Sequence, residues 1–190
     1  MDRIEQLNEI AQACLKQRYI ERMESINEFY LAHKGEIRNQ YEQRLRDGLD
    51  ECESQNKKVS YIVISILDSS LLTKSYEMQI SFFDEKTYLD EDPVCRYWSP
   101  DFLFKSVDED MAFFRKRASQ KIIRLKEYET DDILKKYVLN YYYQAFILIR
   151  KVTSEAIERL SLEFECMSDS IQVLFGKYMD KPLVIYQKGT

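Results

Sequence analysis

Glycine and proline are scarce in this chain, four and three among 190 residues. So few turn formers and helix breakers leave long regular elements, mainly helices, as the expected architecture. Histidine is scarcer still. His33 is the only one, so every Ser-His-Asp or Cys-His catalytic arrangement would have to run through that single position. The cysteines are Cys14, Cys52, Cys95 and Cys166, with no CxxC pair, which excludes a zinc site of the usual spacing. The patterns GxSxG, GxxxxGK[ST] and GxGxxG are missing, and with them nucleotide cradles built on glycine loops. The acidic stretches 84–92 and 108–110 lack the EF-hand spacing, so no Ca²⁺ loop is marked. No metal and no cofactor are expected.

What is present suits a packed soluble domain. Hydrophobic residues make up 45% of the chain, enough for a real core, and the net charge of −5 argues against a general polyanion binder. The N-terminal residues Met1-Asp2-Arg3-Ile4-Glu5 form no apolar leader region. No run reaches the roughly 20 apolar residues a bilayer requires. A cytoplasmic protein with free thiols and no membrane partner is the expectation.

Two stretches organise the chain. In residues 1–55 an apolar or small residue recurs from Ile4 and Leu7 through Tyr19, Met23, Ile26, Tyr30, Ile37 and Tyr41 to Cys52, at a mean spacing of about 3.7 residues. That value fits an ordinary helical face better than a left-handed coiled-coil seam. Gly35, after His33 and Lys34, resembles a helix C-terminus, yet the stripe keeps its phase across it. One long amphipathic helix, kinked or continuous, is therefore expected, with a helical hairpin as the alternative. The second stretch, 130–166, holds the densest apolar run, Tyr137 to Ile149, and Leu148, Val152, Ala156, Leu160 and Phe164 follow every fourth residue. Thr130 before Asp131 and Asp132 reads as its N-cap.

Between and after these lie strand patterns. Val59–Leu67 is apolar on both faces, as in the middle of a sheet, and 76–82 alternates cleanly. Residues 84–104 read as an irregular loop, because Pro93 and Pro100 bar a helix interior. Ser106 and Glu109 have capping-box spacing before a helix ending near Tyr128. Two short strands, 171–175 and 183–186, flank a turn. The expected fold is α+β and helix-dominated: the long N-terminal helix (1–55) and an α+β body (56–190), with a four-stranded antiparallel sheet made of two hairpins and two further helices packed on it.

Two surface features carry functional expectations. Arg115, Lys116, Arg117, Lys121, Arg124 and Lys126 place six cations and no acid in twelve residues. Arg115, Arg117, Lys121 and Arg124 are the candidate anion-binding residues, with Arg117, Lys121 and Arg124 on one helical stripe. The stripe of the first helix, at Tyr19, Met23, Tyr30, Ile37 and Tyr41, is the candidate interaction surface, since a helix of this length would overhang a small domain and leave apolar residues to be covered. The leading expectation is a non-enzymatic cytoplasmic interaction or adaptor protein, whose partner is another copy of itself or a different protein. The alternative is an anion- or nucleic-acid-binding regulator using 115–126. A third reading is an enzyme with a pocket lined by tyrosines and carboxylates.

Overall fold

In the computed structural model, which describes residues 2–188, 63% of the chain is helical, as the shortage of helix breakers predicts. The elements are α1 (Arg3–Ser54), β1 (Val59–Ile66), α2 (Asp68–Thr73), β2 (Met78–Phe83), a 3₁₀ turn (Thr87–Leu89), β3 (Val94–Trp98), α3 (Asp101–Phe104), α4 (Val107–Lys121), a second 3₁₀ turn (Glu127–Thr130), α5 (Asp131–Glu163), β4 (Met167–Lys177) and β5 (Leu183–Gln187). The long N-terminal helix forms, as two helical segments joined across a kink. Only His33 leaves helical geometry, at φ −119° and ψ 17°. Contacts divide the chain into two compact units: one built from the chain up to Lys34 with Asp101–Ala145, the other from Gly35–Pro100 with the chain from Phe146 onward.

The second unit contains the sheet, in the order β3-β2-β1-β4-β5. It differs from the expected four antiparallel strands in two ways. First, the segment between Pro93 and Pro100 supplies a fifth strand: the prolines bar a helix but sit just outside β3, an edge strand that pairs only with β2. Second, β1 and β4 pair in parallel, Ile62 opposite Val173 and Ile64 opposite Phe175, so the sheet is mixed. Parallel neighbours require a long crossover, and here α5 leads directly into β4.

The central position of β1 accounts for its two apolar faces. One face carries Ile62, Ile64, Met78, Ile80 and Phe82, all fully buried. The second half of α1 packs on it: the Tyr41 ring lies tilted against Trp98, 5.3 Å between centroids, and a Cβ on Gly48 would lie 2.1 Å from the Phe82 ring. Only a glycine lets the helix come this close. From α5, Phe146 meets Phe175 at 5.4 Å. The α1 and α5 segments run parallel here, with Tyr41 bonded to Thr153 at 3.0 Å and Arg46 paired with Glu163. The opposite face holds a smaller cluster of Val63, Phe83 and Leu174, flanked by Tyr61 and Tyr88.

The first unit is built from helices. Here too the early parts of α1 and α5 run side by side in parallel: Arg3 bonds Glu129 and Tyr19 bonds Asn140 and Gln144. α4 buries Val107, Met111, Phe114 and Ala118, the expected face. It belongs to this unit and is not one of the helices on the sheet. Of the three consecutive tyrosines, Tyr141 and Tyr142 are buried and Tyr143 is exposed, as successive 100° steps around a helix require.

Candidate anion-binding groove

Within the helical unit, α1 and α4 enclose a groove of about 640 Å³. Its α1 wall is formed by positions spaced three or four apart, including Cys14, Arg18 and Arg22; its α4 wall by Glu109, Phe113, Arg117 and Lys121. Helical periodicity alone puts each set on one face.

Behind the groove lies Asp110, whose side chain is wholly buried. Its Oδ1 accepts hydrogen bonds from Arg18 Nη1 at 2.7 Å and Arg22 Nη2 at 3.1 Å. Its Oδ2 accepts from the Tyr137 hydroxyl at 2.7 Å and Arg22 Nε at 3.4 Å. The Tyr137 and Tyr141 hydroxyls are in turn 3.0 Å apart. Burial opposes ionisation of Asp110, but the bonds from Arg22, Tyr137 and Arg18 outweigh it and hold the carboxyl below the usual carboxylate range. Burial raises Tyr137 well above an ordinary phenol and pushes Tyr141 up to about 12. The carboxylate that a tyrosine- and acid-lined catalytic pocket would need is thus present, but all four of its bonding sites are occupied. It serves as an anchor for two arginines and has no room to accept a substrate proton.

The anchoring fixes what faces the groove. Arg22 also bonds Glu109 at 2.8 Å. The Arg18 guanidinium lies 4.1 Å from the Phe113 ring centroid, and that of Arg117 lies 5.4 Å from the same ring. Arg117 and Lys121, one turn apart, have no carboxylate partner among the described residues. Four cations and two acids, Glu21 and Glu109, therefore line one groove; Arg18 and Arg22 are held by Asp110 and Glu109, and Arg117 and Lys121 have no acidic partner among the described residues.

The other candidate residues fall elsewhere. Arg115 turns away, donating from Nε to the Thr130 hydroxyl at 3.1 Å and lying 4.0 Å from Glu127. Arg124 is not on the helical stripe, because α4 stops at Lys121, Ile122 is extended, and Arg124 itself has φ of +56°. Its carbonyl accepts from Arg3 at 3.1 Å. The expected caps are also absent: Ser106 makes no side-chain capping bond, and the Thr130 hydroxyl donates to the Glu127 carbonyl inside a 3₁₀ turn. On α1, Tyr19, Met23 and Tyr30 are half-buried, while Ile37 and Tyr41 lie in the core of the sheet unit and are not available as surface. His33 is exposed, stacked on Phe29 at 4.1 Å and bonded to its carbonyl at 2.9 Å. No group of three or more His, Cys, Asp or Glu among the described residues could hold a metal ion. No helix among the described residues is long and apolar enough to cross a membrane.

Comparison with protein-family models, with curated proteins and with solved structures gave no significant match.

Arg18, Arg22 and Asp110 escaped the sequence reading. The arginines lie off the apolar stripe, and Asp110 is one of three consecutive acids. A spacing of four between two arginines was the only available signal.

Proposed function

We propose that this chain is a non-enzymatic binding protein that takes a phosphate-class anion in the groove between α1 and α4. The observation that supports the reading is the convergence of Arg18, Arg22, Arg117 and Lys121 on one cavity, with Arg117 and Lys121 lacking acidic partners. Asp110 keeps both α1 guanidiniums oriented before any ligand arrives, which lowers the ordering cost of binding. Arginine suits the task because its planar fork pairs with phosphate oxygens in bidentate fashion. Calorimetric titration with inorganic pyrophosphate should show binding that weakens as salt rises. The double variant Arg117→Glu/Lys121→Glu, altered only at helix-surface positions, should bind at least about tenfold more weakly. Equal affinity in wild type and variant would overturn the proposal. Competition between pyrophosphate and a labelled single-stranded oligonucleotide would extend it to nucleic-acid phosphates.

Self-association through α1 is a second reading, favoured by one observation. Ile20, Phe29 and Leu31 are 45%, 44% and 66% exposed on the middle of that helix. Its earlier physical basis, an uncovered stripe, is reduced, because Leu7, Leu15, Ile37, Leu45 and Leu49 are covered by the chain itself. Light scattering after size exclusion separates the cases: a mass of 22.8 kDa removes this reading, and a multiple of it supports it.

A further inference from the structure

A second groove, of about 820 Å³, runs between the parallel early segments of α1 and α5, on a different face of α1 from the anion groove. Its floor is apolar. Ala11, Leu15 and Ile133 are buried there beside the ring of Tyr137, whose hydroxyl is tied to Asp110. Tyr19 closes one end, its hydroxyl accepting from Gln144 at 3.1 Å and lying 3.4 Å from the Asn140 carbonyl. The rim is polar and of one sign. Lys16 rises from α1 and Lys136 from α5, both exposed, and no carboxylate lines the groove. Asp132, one turn before Lys136, makes no ion pair with it among the described residues.

We propose that this groove is a binding site for an amphiphilic monoanion, a carboxylate carried on an acyl chain or similar apolar body. The apolar part would lie along Ala11, Leu15, Ile133 and the Tyr137 ring, and the carboxylate would pair with Lys16 and Lys136. The volume falls in the range of about 300–1,000 Å³ typical of small-molecule sites, which combine apolar walls with a few convergent polar groups. A partner helix fits less well. The recess has the size of a small-molecule site, whereas a stable protein interface buries more than about 1,000 Å². The site is separate from the phosphate-class groove and does not depend on it.

The test is titration of the full chain with sodium dodecanoate below its micelle concentration, set beside dodecylamine, which has the same tail with the opposite charge, and butyrate, which has the same head on a short tail. Dodecanoate should bind at one site, more tightly than either comparator. Lys16→Glu/Lys136→Glu, at two exposed positions, should weaken it at least about tenfold, while Arg117→Glu/Lys121→Glu should leave it unchanged. Absence of dodecanoate binding, equal binding of dodecylamine, or wild-type affinity in the Lys16/Lys136 variant would each overturn the assignment. Butyrate binding as tightly as dodecanoate would overturn the role of the apolar floor.

Discussion

The two compact units draw on the same two long helices and yet solve burial differently. In the sheet unit the α1 stripe, Ile37, Tyr41, Leu45, Leu49 and Cys52, is covered almost completely, and the polar side chains buried there are hydroxyls such as Ser65, Ser81 and Thr153. In the helical unit the same stripe becomes half-buried after Leu15, and beside the buried Thr130 hydroxyl lies a buried carboxylate, Asp110, holding two arginines. A sheet offers a broad continuous face on which a helix can press a whole stripe. Helices packed only on helices leave grooves between their cylinders. Both candidate sites lie in such grooves. Apolar periodicity therefore marks which residues can pack, and the packing partner decides whether a recess remains.

The largest expected effect comes from removing the anchor of the helical unit. Asp110→Ala leaves Arg18 and Arg22 without their buried acceptor and the Tyr137 hydroxyl without its carboxylate, and should cost about 3–5 kcal/mol. Urea denaturation would read the loss. Hydrogen exchange would locate it, with α4 amides losing more protection than those of β1; equal losses would erase the distinction drawn between the units. A smaller cost should follow from Gly48→Ala in the sheet unit, where the new methyl meets the buried Phe82 ring. Overpacking of this kind costs about 1–3 kcal/mol, offset in part by the roughly 1 kcal/mol by which alanine favours a helix over glycine. A lower urea midpoint is expected, and an unchanged one would mean that the ring can yield.

The smallest effect is a slope. Asp110 ionises more readily in the folded chain than in the unfolded one. Its contribution is thus fully present above the unfolded value, about 3.9, and is lost as pH falls through the lower folded value. Urea midpoints measured from about pH 6 down to about pH 3 should fall more steeply for the wild type than for Asp110→Asn. Parallel curves would show that other carboxylates govern acid sensitivity.

Much of this architecture could be read from one-dimensional pattern. The α1 stripe, the dense run of α5, the inward face of α4 and the doubly apolar β1 all follow from periods of 3.6 and 2, because burial on one side of a regular element repeats with the element's own geometry. Scarce glycine and proline made helix the dominant state. Local chemistry was less decisive at the boundaries: α4 stops at Lys121, seven residues short of the expected end, so Arg124 leaves the stripe it was assigned to. Strand β3 has no clear sequence signal, because its flanking Pro93 and Pro100 are equally at home in a loop.

The choices left to tertiary structure were those in which chemically similar residues meet different surroundings. Asp108, Glu109 and Asp110 are equivalent as text, and only the approach of α1 and α5 puts Asp110 between Arg18, Arg22 and Tyr137. The parallel pairing of β1 with β4 joins segments more than a hundred residues apart, beyond the reach of any local signal. The sequence by itself determined the elements and their apolar faces, since those depend on spacing along a helix or strand. The tertiary structure decided which faces close completely and which leave a groove, since that depends on the shape of what packs against them.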